Sequence, residues 1–255
     1  TAVFPNTDIK GGVAITYHDN FKTFESIGIF TAFPELNEIV KKARAVNENK
    51  SIASMIYTQV KFDLDALYAD YPEYKSILGS KGKDRRFRNN IFEKVALFTD
   101  EKKDEDDLRI LGILKNKRTW KYISRKYVDM SHENLKLWKV LVPRANGSGA
   151  LGEVLSTPLI GEPLIGEPLI GYTQSFIGIG SFHTELEANA LLQYVKSKFA
   201  RVLLGVLKVT QDNDSGVWKL IPLQDYTSNS DIDWSKSIHE IDLQLYRKYG
   251  LDEKE

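Results

Sequence analysis

Residues 184–204 read TELEANALLQYVKSKFARVLL and carry the strongest secondary-structure signal of the chain. Thr184 and Glu187 have the spacing of a capping box, in which the hydroxyl and the carboxylate accept hydrogen bonds from free amides at a helix start. Apolar residues then recur every three or four positions, and Gly205 is a natural stop. The stretch predicts one long amphipathic helix that buries one face against a domain.

The segments on either side of this helix define the predicted fold. Residues 206–210 and 217–222 are expected to pair as a hairpin, and a last helix is expected from about residue 233 to Gly250. Upstream, helices are predicted at 34–48 and 63–71, and strands at 91–99, 108–114, 120–128 and 137–142. This order predicts an α+β fold, with a mixed, largely antiparallel sheet, flanking helices and a C-terminal helix docked on the domain.

Residues 157–171 form a short internal repeat, TPLIG followed by EPLIG twice. Its period of five is far below the roughly 20 residues or more of a solenoid repeat. Proline interrupts helices and strand ladders, and glycine permits turns. The repeat therefore predicts an elongated surface loop or an irregular ribbon.

The composition excludes several kinds of chemistry. The 255 residues include 35 Lys or Arg, 35 Asp or Glu and no cysteine, so disulfides, thiol nucleophiles and cysteine zinc sites are excluded. No apolar run approaches the ~20 residues needed to cross a bilayer, and no signal peptide is visible. We expect a cytoplasmic protein without a membrane partner.

Positive charge is concentrated in the middle of the chain. Residues 81–126 contain fifteen Lys or Arg and eight Asp or Glu, whereas residues 211–255 contain five and ten. Two basic clusters, 81–88 and 115–121 with its continuation to 126, contain aromatic residues and are predicted near loops or strand ends. Such cations can hold DNA phosphates or read bases, although a solvated basic face is the alternative. The predicted DNA contacts here are Lys81, Lys83, Arg85, Arg86, Arg88, Lys115, Lys117, Arg118, Lys121 and Arg125.

No catalytic or metal-binding constellation is predicted. The four histidines are not paired at metal-ligand spacing, and the nucleotide-binding glycine motifs are incomplete. The carboxylate pairs Asp63/Asp65 and Asp231/Asp233 stand at predicted helix starts, where acids favour the helix dipole. An autonomous nuclease built on Asp63 and Asp65 is the least favoured alternative.

Several stretches resemble adenine-specific methylases of type II restriction–modification systems, in particular the C-terminal target-recognition region of type IIG-like enzymes. Residues 4–13 (FPNTDIKGGV) resemble the segment that closes the catalytic domain of these enzymes. Five further segments resemble parts of their target-recognition domains: residues 138–149 (WKVLVPRANGSG), 199–205 (FARVLLG), 217–225 (VWKLIPLQD), 231–235 (DIDWS) and the final helix. The triple repeat at 157–171 is longer than the family pattern.

This resemblance implies that residues 1–30 are tail strands of a truncated methyltransferase domain with a linker, and that 31–255 form a DNA target-recognition domain. The parent enzyme would bind S-adenosylmethionine, methylate adenine and use Mg²⁺ if it also cleaves DNA. The Asn-Pro-Pro-Tyr/Phe motif and the cofactor loop are missing here, so no cofactor and no catalytic residue are expected in this chain. Arg144, Asn146 and Ser148, on a glycine-rich loop, are further predicted DNA contacts.

The predicted function is therefore sequence-specific binding of double-stranded DNA, which positions an adenine for an upstream methyltransferase domain of the same chain. A flipped adenine would enter that domain. The alternative is a docking or assembly module that binds a catalytic subunit without reading DNA. The polarised charge supports this alternative, because the acidic end suits a basic partner.

Overall fold

The structure is a computed structural model. It describes residues 16–24, 28–29, 31, 33–46, 50–80, 82–145, 162–208 and 210–252. The methylase-like segment 4–13 lies outside the described residues, and the predicted domain boundary near residue 30 stays a prediction.

Two sheets organise the described part of the chain. The four-stranded sheet is antiparallel throughout, with the order β1 (Ile56–Tyr57), β7 (Phe176–Phe182), β4 (Trp138–Pro143), β5 (Leu164–Gly166). In the three-stranded sheet, β2 (Leu108–Leu114) is antiparallel to β3 (Lys117–Ile123) and parallel to β6 (Ile170–Tyr172). The predicted α+β class is confirmed, with strands divided between two sheets.

The helices pack on these sheets in two groups. Four helices share a hydrophobic core with the four-stranded sheet: α1 (Pro34–Val46), α5 (Glu185–Lys196), α6 (Lys198–Leu207) and α7 (Ile238–Tyr249). Three shorter helices pack around a second core with β2: α2 (Leu64–Asp70), α3 (Tyr74–Leu78) and α4 (Ile91–Lys94). Short 3-10 helices lie at Ile52–Met55, Gly82–Arg85, Arg125–Tyr127 and Ser215–Trp218.

The predicted helix over 184–204 is two helices, because the chain breaks at Ser197. The capping box of Thr184 and Glu187 is present at the start of α5. Ser197 adopts an extended backbone conformation, and its hydroxyl accepts from the Ala200 amide to begin α6. The buried Asp242 of α7 accepts from the Lys198 and Phe199 amides at 3.1 and 3.0 Å. A carboxylate from another helix therefore stabilises this second helix start.

Two predicted strand regions are wrong. The first half of the predicted hairpin begins inside α6, which continues through Gly205 to Leu207, and the second half contains the 3-10 helix Ser215–Trp218. Residues 91–99 begin with α4 and form no strand. In both places the buried apolar residues lie on helical or irregular segments. A short apolar run in the sequence does not distinguish such a segment from a strand.

The described part of the repeat contributes strands to both sheets, which corrects the predicted loop. The second unit forms β5 against β4, and the third forms β6 against β2. Pro163 and Pro168 stand just before these strands, where a missing amide donor costs no ladder bond. A Cβ at Gly171 would lie 2.6 Å from Ile110 Cδ1, so glycine permits the close approach. Residues 157–161 lie outside the described residues.

The C-terminal helix docks on the larger core as predicted. Ile241, Leu245 and Tyr249 of α7 are buried there. Ser237 and Glu240 form a capping box, and Gly250 ends the helix with a φ of 63°. In the described ranges, no helix combines the length and apolar character needed to cross a membrane.

Candidate nucleic-acid interface

The second basic cluster forms the tip of a β-ribbon. Strands β2 and β3 pair from Leu108↔Ile123 to Leu114↔Lys117, which leaves a two-residue turn. Lys115 and Asn116 have φ values of 49° and 60°. Two consecutive left-handed residues in such a turn define type I′, whose twist matches that of the strands. The local sequence thus forms a tight hairpin that presents Lys115 and Asn116 at its end.

The ribbon extends beyond the third strand of its sheet. The pairing of β6 with β2 covers Arg109–Leu111 only. In the described chain, the ribbon is therefore two-stranded from Gly112 to Thr119, where Lys115 and Lys117 are exposed. The exposed tip carries positive charge and no carboxylate.

A cleft of about 760 Å³ lies beside the ribbon tip. It is bounded by segments that precede α4, follow β4 and precede β7, and by residues 211–212. Most of the lining residues have amide or charged side chains, namely Asn89, Asn90, Asn116, Gln174, Gln211, Glu93, Lys115, Arg144 and Asp212. The cleft therefore offers hydrogen-bond donors and acceptors side by side.

One acceptor of this cleft is unsatisfied. The Asn90 Oδ1 atom is buried and has no hydrogen-bond partner within the described residues. Leaving such an atom unpaired costs about 1–3 kcal/mol.

Arg144 lies on the wall of the cleft and is held by Asp212. Its Nε and Nη2 atoms lie 3.1 and 3.3 Å from the two carboxylate oxygens. The Arg144 amide also donates to Ser175 O at 2.9 Å, and its carbonyl accepts from the Asn213 amide at 2.7 Å. Both the backbone and the guanidinium of Arg144 are therefore fixed.

Three other predicted contacts are engaged in ion pairs. Arg85 pairs with Asp129, Arg88 with Asp84 at 2.5 Å, and Lys121 with Asp100 at 2.6 Å. Burial alone would raise the pKa of Asp129, but hydrogen bonds from Ser131 and the Arg85 guanidinium together lower it. The charge of these cations is partly neutralised by the protein itself.

Arg118 is tied to the body of the protein. Its Nη2 donates to Glu162 O at 2.6 Å, and the guanidinium carbon lies 5.6 Å from the ring centroid of Phe176. Burial lowers the pKa of Arg118, and the charge of Glu162 opposes this shift. The residue connects the ribbon to β5 and β7.

The remaining predicted DNA contacts do not lie together at one site. Among the described residues Arg86, Lys115, Lys117 and Arg125 have no ion-pair partner. Arg125 lines a different, acidic cleft of about 740 Å³. Lys81, Asn146 and Ser148 lie outside the described residues, as does the side chain of Lys83. The amide-lined cleft thus brings together Lys115 and Arg144 and leaves Arg125 apart.

The amides of the cleft are candidate functional residues that the sequence analysis missed. Asn89 and Asn90 directly follow the first basic cluster, and Asn116 separates two lysines of the second. Their position next to the basic clusters could have indicated these three amides, because an amide between or beside cations suits a polar ligand. Gln174 and Gln211 have no such neighbours, and only the fold brings them to the cleft.

Comparison with known proteins does not assign the chain to a family. No known protein family matches the chain, and no similar sequence was found among curated proteins. Within the described ranges, no group of three or more His, Asp or Glu side chains is placed to hold a metal ion. The candidate interface therefore rests on its geometry and on the quoted resemblance.

Proposed function

We propose that this chain is a sequence-specific module for double-stranded DNA, and that its ribbon tip and the neighbouring cleft contact the major groove. The observation that carries the proposal is the two-stranded ribbon, whose exposed lysines lie next to an amide-lined cleft. The major groove is about 12 Å wide and admits a two-stranded β-ribbon. Both the shape and the positive charge of this surface thus suit double-stranded DNA as the ligand.

Lys115 and Lys117 would contact phosphates, because their charges are exposed and have no carboxylate partner in the described chain. Phosphate contacts supply affinity and fix the register of a protein on the duplex. The ion pairs of Arg85, Arg88 and Lys121 give these three residues a structural role in the proposal.

The amides would contact base edges. Asn and Gln side chains can form two hydrogen bonds with N6 and N7 of adenine in the major groove. Asn116 at the ribbon tip and Gln174 on the cleft wall are the residues best placed for this contact. Base contacts of this kind would make the binding sequence-specific.

The resemblance to type II methylases extends the proposal to the parent enzyme. An upstream methyltransferase domain would use S-adenosylmethionine to methylate an adenine that this module positions. Cleavage with Mg²⁺ would belong to a further upstream domain. Sequencing the gene upstream of Thr1 tests this extension, since a methyltransferase domain is expected there.

The binding proposal is tested by fluorescence anisotropy with a labelled 20-base-pair duplex between 50 and 200 mM NaCl. If about six phosphates are neutralised, log affinity falls with log salt at a slope of about −5. The double variant Lys115→Ala/Lys117→Ala should reduce the slope by about 1.8, because two phosphate contacts are lost. A flat salt response of the wild-type protein contradicts the proposal.

A matched control lies at the other end of the same ribbon. Lys102 and Lys103 are exposed and precede β2, so the strand length of seven residues separates them from the tip. This corresponds to about 20 Å. The variant Lys102→Ala/Lys103→Ala should keep the wild-type slope, which distinguishes the ribbon tip from general loss of positive charge.

Docking on a catalytic subunit is the second candidate, and exposed aromatic residues favour it. Tyr17, Phe21 and Phe24 are 76%, 96% and 57% exposed, and exposed apolar groups mark many protein interfaces. Docking would be supported by two results together. The protein would bind a purified methyltransferase subunit tightly and Phe21→Ser/Phe24→Ser would weaken this association, and the wild-type protein would not bind duplex DNA. Duplex binding that the same variant leaves unchanged would support the first function.

A further inference from the structure

Arg144 is presented to the cleft in one fixed orientation. Its backbone is hydrogen-bonded on both sides, to Ser175 and to Asn213. The Asn213 side chain adds a bond of 2.9 Å from Nδ2 to Pro143 O, the residue before Arg144. A side chain on such a support loses little conformational freedom when it binds a ligand.

Asp212 occupies only one edge of the guanidinium. The carboxylate accepts from Nε and Nη2, which form the side edge of the planar group. The end edge, formed by Nη1 and the second Nη2 hydrogen, has no hydrogen-bond partner within the described residues. Because the Arg144 side chain is 31% exposed and lines the cleft, this edge is open to a ligand.

Two parallel N–H donors match one base in particular. In the major groove guanine presents the acceptors O6 and N7 side by side, whereas adenine presents the N6 donor beside N7. Arginine binds such paired acceptors with a fixed bidentate geometry that lysine does not reproduce. Resting on the proposed function, we infer that Arg144 recognises a guanine of the target sequence and that Asp212 is its positioning residue.

The charge of Asp212 favours a base over a phosphate. Asp212 is within hydrogen-bond distance of the guanidinium and its side chain is 47% exposed. Its negative charge repels an approaching phosphate and leaves the neutral edge of guanine as the better partner. The ion pair therefore assigns Arg144 to sequence recognition, whereas Lys115 and Lys117 serve affinity.

The test starts with a randomised duplex library, from which the bound fraction is sequenced. The wild-type protein should enrich sequences with an invariant G·C pair. Arg144→Lys, which keeps the charge, should lower the preference for that guanine by about tenfold. Its salt slope should stay unchanged, and Asp212→Asn should give an intermediate preference.

Replacing that guanine by 7-deazaguanine provides a test that needs no protein variant. It removes the N7 acceptor, so the wild-type affinity should fall by about tenfold, and the affinity of Arg144→Lys should fall by less. The same enriched sequence from both proteins overturns the inference. So does a loss of affinity of Arg144→Lys that is equal for all sequences, which indicates a phosphate contact. Absence of duplex binding by the wild-type protein overturns the proposed function as well.

Discussion

The two basic clusters have similar sequences and different environments. In the first, Arg85 and Arg88 are engaged by Asp129 and Asp84. In the second, the ribbon tip keeps its lysines exposed, and the cations that pair with carboxylates in the described chain, Lys121 and Lys126, lie away from the tip. Asp129 comes 44 residues after Arg85. The comparison teaches that tertiary partners, and not local composition, decide which cations are available to a ligand.

The largest expected effect comes from reversing the charge of the ribbon tip. Lys115→Glu/Lys117→Glu should weaken duplex binding at least about a hundredfold at 150 mM salt, because two phosphate contacts become repulsive. Lys102→Glu/Lys103→Glu should stay within about twofold, since the Debye length is about 8 Å. Titration by fluorescence anisotropy measures both. Equal losses in the two variants would remove the distinction between the tip and the rest of the ribbon.

A third kind of cation sharpens the comparison, because Lys139 is buried from solvent and pairs with no carboxylate of the described residues. Its Nζ donates to the carbonyls of Leu135, Leu137 and Glu167 at 3.3, 3.0 and 3.0 Å. Burial lowers the pKa of Lys139 to about 7. The unfolded value is about 10.4, so between these values the unfolded state binds more protons.

The stability of the wild-type protein should therefore rise with pH through this window, by up to about 1.4 kcal/mol between pH 8 and 9. The variant Lys139→Met should lack this contribution to the rise in stability. Urea unfolding at pH 8 and at pH 9 measures the free energy of unfolding of both proteins. Burial also lowers the pKa of His132, so this group titrates below the window. Parallel pH profiles of the wild-type protein and the variant would contradict the assignment.

Asp129→Asn tests the structural role of the first cluster. Because the pKa of Asp129 is lowered in the folded protein, its contribution to stability is present above about pH 4 and is lost as the pH falls through the folded pKa. We expect a loss of about 1 kcal/mol at pH 7 and a smaller difference below pH 4. The partial exposure of Arg85 limits this effect. Duplex affinity should not change, and a tenfold change would show that the first cluster contacts DNA.

The smallest effect is expected for Arg88→Gln. Arg88 and Asp84 form a surface pair with 42% and 37% of their side chains exposed. Such pairs contribute less than about 0.5 kcal/mol. Unfolding in urea and the duplex titration should both stay close to those of the wild-type protein. A clear loss of duplex affinity would give the paired cations a direct role in binding.

Local sequence signals predicted some helix ends, but they missed the capping box of Ser237 and Glu240 and wrongly placed a helix stop at Gly205. Thr184 with Glu187 and the left-handed Gly250 were both recognisable in the sequence. The break at Ser197 was not, because the helix start behind it also depends on Asp242 of α7. A capping residue that is distant in sequence gives no local pattern.

The candidate interface was predictable in part for the same reason. The sequence indicated Lys115, Lys117 and Arg144, but not the Asp212 carboxylate that orients Arg144. The cleft combines segments that are up to about 120 residues apart, so Gln174 and Gln211 carried no local signal. The repeat at 157–171 was misread as a loop because its strands depend on partners in β4 and β2.

Lysine acetylation with and without a saturating duplex, read by mass spectrometry, tests the central claim most directly. The account predicts that DNA protects Lys115 and Lys117 at the ribbon tip and leaves Lys102 and Lys103 at the other end of the ribbon as reactive as in the free protein. Unchanged reactivity of Lys115 and Lys117 under saturating duplex would contradict the assignment of this surface as the DNA interface.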